Sequence, residues 1–209
     1  MAVDGDGNIL VVDSGNHCIQ KFTSNGNFIR TVGKYGKNSL EFDFPIGVAI
    51  HPHNKKVYIA DNINHRIQIL NPDLTFFSSF GSRGSDNGQF VNPYDVAFDS
   101  TGNVYVVDST NNQIQVFTAI AKFLRKFGKF GKGNGELDCP VSISIDSDNV
   151  VYVTEYGNHR VSVFTYEGKF LTSFGTGGSG PGQFNNPHGI AVDKNGVVYV
   201  SDNKCLQLF

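Results

Sequence analysis

An acidic residue closes a hydrophobic run five times along the chain, at Asp13, Asp61, Asp108, Glu155 and Asp202, with spacings of 48, 47, 47 and 47. Around each lies one template, approximately P-x-G-V-A-x-D-x-x-G-N-V-Y-V-V-D-x-x-N-H-R-I-Q-V-F, followed by x-x-x-G-x-F-x-x-x-F-G-x-x-G-x-x-x-G-x-F-x-x-P. Pro45, Pro93, Pro140 and Pro187 keep phase with it, as do Gly33, Gly81, Gly128 and Gly175. Self-similarity at such a period implies a repeat architecture in which each unit buries its apolar face only against its neighbours. The expected organisation is a single domain over residues 1–209, with units of approximately 1–44, 45–92, 93–139, 140–186 and 187–209.

Each unit holds four strand-like segments. In the second, Gly47–Ile50 is short and apolar on both faces, which predicts a buried inner strand. Val57–Ala60 is a β-branched and aromatic run, Ile67–Leu70 alternates with Gln68 expected outside, and Phe76–Phe80 alternates again with serines. The connections read as hairpin turns. Asp99-Ser100-Thr101-Gly102-Asn103 places glycine where positive φ is needed, and Asn149 takes that place one unit later. One extra residue in His51–Lys56 accounts for the spacing of 48. Repeated four-stranded antiparallel units predict an all-β fold, a β-propeller.

A WD-type propeller would show Trp-Asp, and this chain has no tryptophan. The strings Asn16-His17, Asn64-His65-Arg66-Ile67 and Asn158-His159-Arg160-Val161 instead resemble the NHL repeat, and the resemblance runs through essentially the whole chain. There are five copies of the first three strands but four of the fourth, giving four complete blades and one partial. NHL propellers usually have six blades, or about 280 residues at this period. The chain is therefore either a five-bladed ring lacking one outer strand or a fragment of a six-bladed ring, whose remaining blades or a partner chain would close it. The second is favoured, because an unclosed ring leaves strand edges exposed.

Composition narrows the function classes. With 17 basic and 19 acidic residues the net charge is −2, which argues against a dedicated polyanion binder and against DNA as a partner. Three cysteines at unmatched repeat positions argue for free thiols in a reducing, cytoplasmic setting, and no apolar run reaches the ~20 residues of a membrane helix. Asp4-Gly5-Asp6-Gly7-Asn8 fails as a calcium loop because Ile9 and Gly15 hold the sixth and twelfth places. His51-x-His53 lacks a third ligand, and no nucleophile elbow, Walker loop or Cys-x-x-Cys is present. No metal, cofactor or catalytic residue is expected.

Repetition also separates scaffold from site. His17, His65 and His159 recur once per unit on separate turns, with Arg66 and Arg160 following two of them, and the closing acids recur likewise, so all are expected to serve the blade. The varying positions gather on the Gly-rich connections and Asp-x-x-Asn turns at one end of the strands. In the first connections these are Tyr35 and Arg83, with Tyr94 after a proline, and the basic Lys34 and Lys37 gather nearby with Arg66 at a turn. Further along they are Phe130 and His188, with the basic Lys129 and Lys132 nearby and Tyr156 and Arg160 at a turn completing the candidate face. Interleaved aromatics and cations suit stacking on bases and binding of phosphates, although acidic residues such as Glu41 and Glu136 share the loops. The resemblance to the C-terminal propeller of tripartite-motif ubiquitin ligases implies a non-catalytic module that recognises protein or RNA partners. A ligase role would need a RING domain that three scattered cysteines cannot build. The alternative is a metal-dependent propeller enzyme, lyase or lactonase-like. It is disfavoured because the first strands (Val48–Ile50, Val96–Phe98, Ile143–Ile145, Ile190–Val192) offer almost no polar side chains.

Overall fold

The computed structural model describes residues 1–209, which form short strands and turns with a single 3-10 segment at Ser14–Asn16. The chain groups into two compact units, Met1–Val96 and Ala97–Phe209. In the first unit, Ala2–Val3, Ile9–Asp13, Cys18–Phe22 and Phe28–Val32 make one antiparallel sheet in chain order. Pro45–Ile50, Val57–Asp61, Arg66–Leu70 and Phe76–Phe80 make the next. The division between units falls inside Pro93–Phe98, the leading strand of the third sheet, which continues with Val104–Asp108, Gln113–Phe117 and Phe123–Phe127. The fourth sheet holds Pro140–Ile145, Val151–Glu155, Arg160–Phe164 and Phe170–Phe174. The fifth has three strands, Ile190–Val192, Val198–Ser201 and Leu206–Leu208. These are propeller blades, four complete and one partial, as the repeat predicted.

The local chemistry follows the template. Gly102 (φ 86°) and Asn149 (φ 62°) both take the left-handed conformation that closes the first hairpin. The preceding aspartate fixes this turn, since Asp99 Oδ1 accepts from the amides of Thr101 and Asn103 at 3.0 and 2.9 Å. On the enlarged turn His51 replaces that aspartate. It is buried, and its Nδ1 accepts from the amides of His53 and Asn54, so this nitrogen is engaged inside the turn. A second glycine requirement lies after the fourth strand. Gly81 has φ 102°, and a Cβ there would stand 2.6 Å from the ring of Phe90.

Two strand expectations need correction. The first strands are not the most buried, since Ala49 and Ile50 are only half-buried while Val57–Asp61 is buried at every residue. In the four-stranded sheets the second and third strands are bonded along both edges, so they hold the centre. Gln68 is also not outside but fully buried, because the connection before it folds back over the strand. Its amide accepts from the Leu40 amide and donates to the Glu41 carbonyl, which removes the cost of burial. In the first unit Leu10, Ile19 and Val32 pack with Val48, Val57, Ile59 and Leu70. In the second, Val161, Val163, Phe184, Val198 and Val200 form an equivalent cluster.

Candidate functional site

At one end of each sheet, the acid that closes the second strand organises the loops. Asp61 is fully buried and accepts from the Asp43 amide at 2.8 Å, from Arg66 Nε at 2.8 Å, and from the amides of Asn64 and Gln68. Arg66 then spans the connection, donating to the carbonyls of Lys37, Asn38 and Glu41 at 2.7 to 2.9 Å. The second unit repeats this arrangement. Glu155 accepts from the Asp138 amide, Asn158, Arg160 and Ser162, and Arg160 donates to the carbonyls of Lys132, Gly133 and Glu136. Every guanidinium nitrogen of Arg66 and Arg160 therefore has an internal acceptor. Both residues leave the candidate binding set and join the scaffold.

The histidines also serve the scaffold. His17, His65 and His159 take positive φ, and their Nδ1 atoms accept from the amides of Phe44, Asn92 and Asn186 at 3.1 to 3.3 Å. Asn112 replaces them in the third repeat, with Oδ1 accepting from the Cys139 amide at 2.8 Å. Sequence reasoning did not assign the Glu or Gln that precedes the last Phe or Leu of each connection. Glu41 Oε2 accepts from the amides of Lys37 and Asn38, and Glu136 Oε2 from that of Gly133. These backbone bonds come first in holding both carboxyls below the usual carboxylate range, with Lys34 and Lys129 adding to them.

The other candidates fall into separate groups. In the first unit Lys34 is exposed but lies 3.4 Å from Glu41. Lys37 and Arg83 point into solvent, and Tyr94 is half-buried in its strand. Tyr35 is 67% exposed and meets the His17 ring edge-on at 5.0 Å. His17 in turn accepts from the Phe44 amide, and the amide of Ile63 donates to the neighbouring Asp43 carbonyl at 3.0 Å. Tyr35, Phe44 and Ile63 thus emerge beside one another, with Phe44 45% and Ile63 46% exposed. Phe44 and Ile63 were missed, although the repeat carried the signal. Asn92, Cys139 and Asn186 stand in the place of Phe44, and Gly15, Thr110, Gly157 and Lys204 in that of Ile63.

In the second unit Phe130 is 70% exposed, and Lys129 lies 3.3 Å from Glu136. Lys132 is exposed. Tyr156 packs edge-on against His188 at 5.4 Å, and its amide donates to the Cys139 carbonyl. No group of three or more His, Cys, Asp or Glu side chains is arranged to hold a metal ion. No helix is long and apolar enough to cross a membrane.

With this geometry in place, comparison with known proteins gives a consistent picture. The NHL repeat family model matches residues 1–22, 42–70, 90–117, 137–164 and 184–205. Protein brain tumor of Drosophila melanogaster is 29% identical over 105 residues, 50% of this chain and 10% of that protein. NHL repeat-containing protein 2 of Gallus gallus is 33% identical over 117 residues, 47% of this chain and 16% of that protein. Both matched stretches are thus small parts of much longer relatives. Among solved structures, a streptogramin B lyase superposes with a TM-score of 0.70 at 18% identity, over 99% of this chain and 78% of its own. At that identity the likeness concerns the fold alone.

Proposed function

The chain belongs to the NHL-repeat family, and from that premise we propose that it is a non-catalytic recognition module whose loop end binds a protein partner. The observation that carries this reading is the exposed apolar group Tyr35, Phe44 and Ile63, fixed from beneath by His17 and the Asp43 backbone. Rigid aromatic and aliphatic side chains raised above a polar surround are what anchor protein interfaces. A protein is favoured over RNA because Lys34 and Lys129 already lie beside carboxylates, and the two arginines at the turns are internally satisfied. The finer assignment is substrate selection for a tripartite-motif-type ubiquitin ligase in the cytoplasm. It rests on the family resemblance and places the RING chemistry in another polypeptide segment.

The test is quantitative capture of partners by the wild-type chain and by a Tyr35→Ala/Ile63→Ser variant, with circular dichroism confirming that the variant folds. Loss of the same specific partner, with folding retained, supports the reading. Unchanged capture refutes it. Retention of a labelled RNA pool that weakens steeply with salt and is lost in Lys129→Glu/Lys132→Glu would instead identify RNA as the partner.

A further inference from the structure

The first repeat departs from the others at two neighbouring places, and a cavity lies where it does. Three residues before the closing acid stand Tyr58, Tyr105, Tyr152 and Tyr199, whereas the first repeat has Leu10. One residue after the polar centre of the third strand stand Ile69, Val116 and Val163, whereas the first repeat has Lys21. Tyr105 shows what the tyrosine does. Its ring is fully buried, and its hydroxyl donates to the Tyr166 carbonyl at 3.0 Å and lies 3.4 Å from Asp99, the aspartate of the hairpin turn. Tyr152 bonds to Asp146 in the same manner, at 3.1 Å.

In the first repeat the equivalent aspartate is Asp4. Lys21 Nζ now reaches it at 2.8 Å, in place of the absent phenol. Pro72 occupies the sequence position of Tyr166, whose carbonyl accepts from Tyr105. The lysine takes the acceptor that the hydroxyl would use, and the shorter Leu10 side chain leaves out the outer part of the ring. A cavity of 360 Å³ opens at this place, floored by Leu10, Ile50 and Val57 and rimmed by Asp4, Lys21 and Pro72. Its size falls within the roughly 300–1,000 Å³ typical of small-molecule sites, and Asp6 and Lys55 add to the charged rim around the apolar floor.

We propose that this cavity is a binding site for a small phenol, whose ring lies over Leu10, Ile50 and Val57 and whose hydroxyl donates to the Pro72 carbonyl, the counterpart of the carbonyl that Tyr105 uses. Tyr105, in the corresponding place of its own unit, supplies the template for the bound pose. The site lies at the hairpin end of the strands, opposite the loops that carry Tyr35, so it is independent of the partner surface.

The test uses 4-methylphenol, the tyrosine side chain as a free molecule, titrated into the full chain while methyl resonances of Leu10, Ile50 and Val57 are followed by NMR. Saturable shifts centred on these three residues are expected, and 4-methylanisole, which cannot donate, should bind about ten-fold more weakly. Leu10→Tyr should supply the ring and the hydroxyl from within and abolish the response. Absence of saturable shifts at those methyls, or equal affinity for 4-methylanisole, overturns the proposal. Undiminished binding by a folded Leu10→Tyr variant does so as well. If that variant does not fold, the titration of the native chain with the two ligands still decides.

Discussion

Asp4 is subject to opposing influences. Burial pushes its pKa up, but hydrogen bonds from Lys21, the Asn8 side chain and the amides of Asn8 and Asp6 outweigh it, and the value falls from 3.8 to about 2. Asp202 is held at about 2 chiefly by the amides of Asn185, Lys204 and Cys205, against a smaller effect of burial. A carboxyl depressed in the folded state stabilises fully above its unfolded pKa, and that contribution is lost as pH falls through the folded one. Thermal stability should therefore decline between about pH 4 and pH 2, and Asp4→Asn should show a shallower decline in the same window. Melting curves of the two proteins across that range check this, and parallel declines would sink the assignment to Asp4. Gly81 gives a second expectation at this scale. Alanine there meets both a positive φ of 102° and the Phe90 ring at 2.6 Å, so Gly81→Ala should destabilise by about 2 kcal/mol or more. Gly26 also has positive φ, but a Cβ there would meet nothing within 4 Å, so Gly26→Ala should cost less. Urea denaturation of the two variants gives the comparison.

The blade is held at its loop end by buried carboxylates, each of which bonds to a turn, a strand and an incoming connection. Removing one partner of such a pair leaves a charge without compensation, and costs about 3–5 kcal/mol. Arg66→Ala should therefore destabilise on that scale, since it takes the cation from the fully buried Asp61, leaving it only neutral donors, and removes the donor of three loop carbonyls. Arg83→Ala, on an exposed side chain, should change stability by no more than about 0.5 kcal/mol. Equal effects in chemical denaturation would contradict the division of arginines into scaffold and surface. This level was only partly legible in the sequence. Strand positions and turn glycines could be read because period-2 patterning and positive φ are local properties. The burial of Gln68 could not, because it depends on the connection around Leu40 and Glu41, some 28 residues away, supplying its partners. The same long reach made Arg66 and Arg160 look available when they are not.

For the molecule as a whole, the period was enough to give the fold and the strands of each blade, though not the short parallel pairings of Lys34–Tyr35 with Glu41–Phe42 and of Thr176–Gly177 with Gln183–Phe184 in the connections. The candidate site was harder to read. Exposure of Tyr35 and Phe130 followed from their variable positions, whereas Phe44 and Ile63 stood out only once their neighbours were known to be scaffold. In a repeat protein, stability is distributed as the sum of each unit and its contacts, so it should differ along the chain. Val57–Asp61 and Val104–Asp108 are buried at every residue and lie at the centre of four-stranded sheets. The fifth sheet has only three strands, and its last, Leu206–Leu208, leaves Leu206 60% and Leu208 59% exposed. Few buried contacts and solvent-facing backbone bonds mark the segments that open first. Native-state hydrogen exchange should therefore show amides of Ile190–Val192 and Leu206–Leu208 exchanging well before those of Val57–Asp61 and Val104–Asp108. Uniform protection across all five sheets would mean that the three-stranded sheet gains stabilisation from an added strand, and the exposed Leu206 and Leu208 side chains would be the first place to look for it.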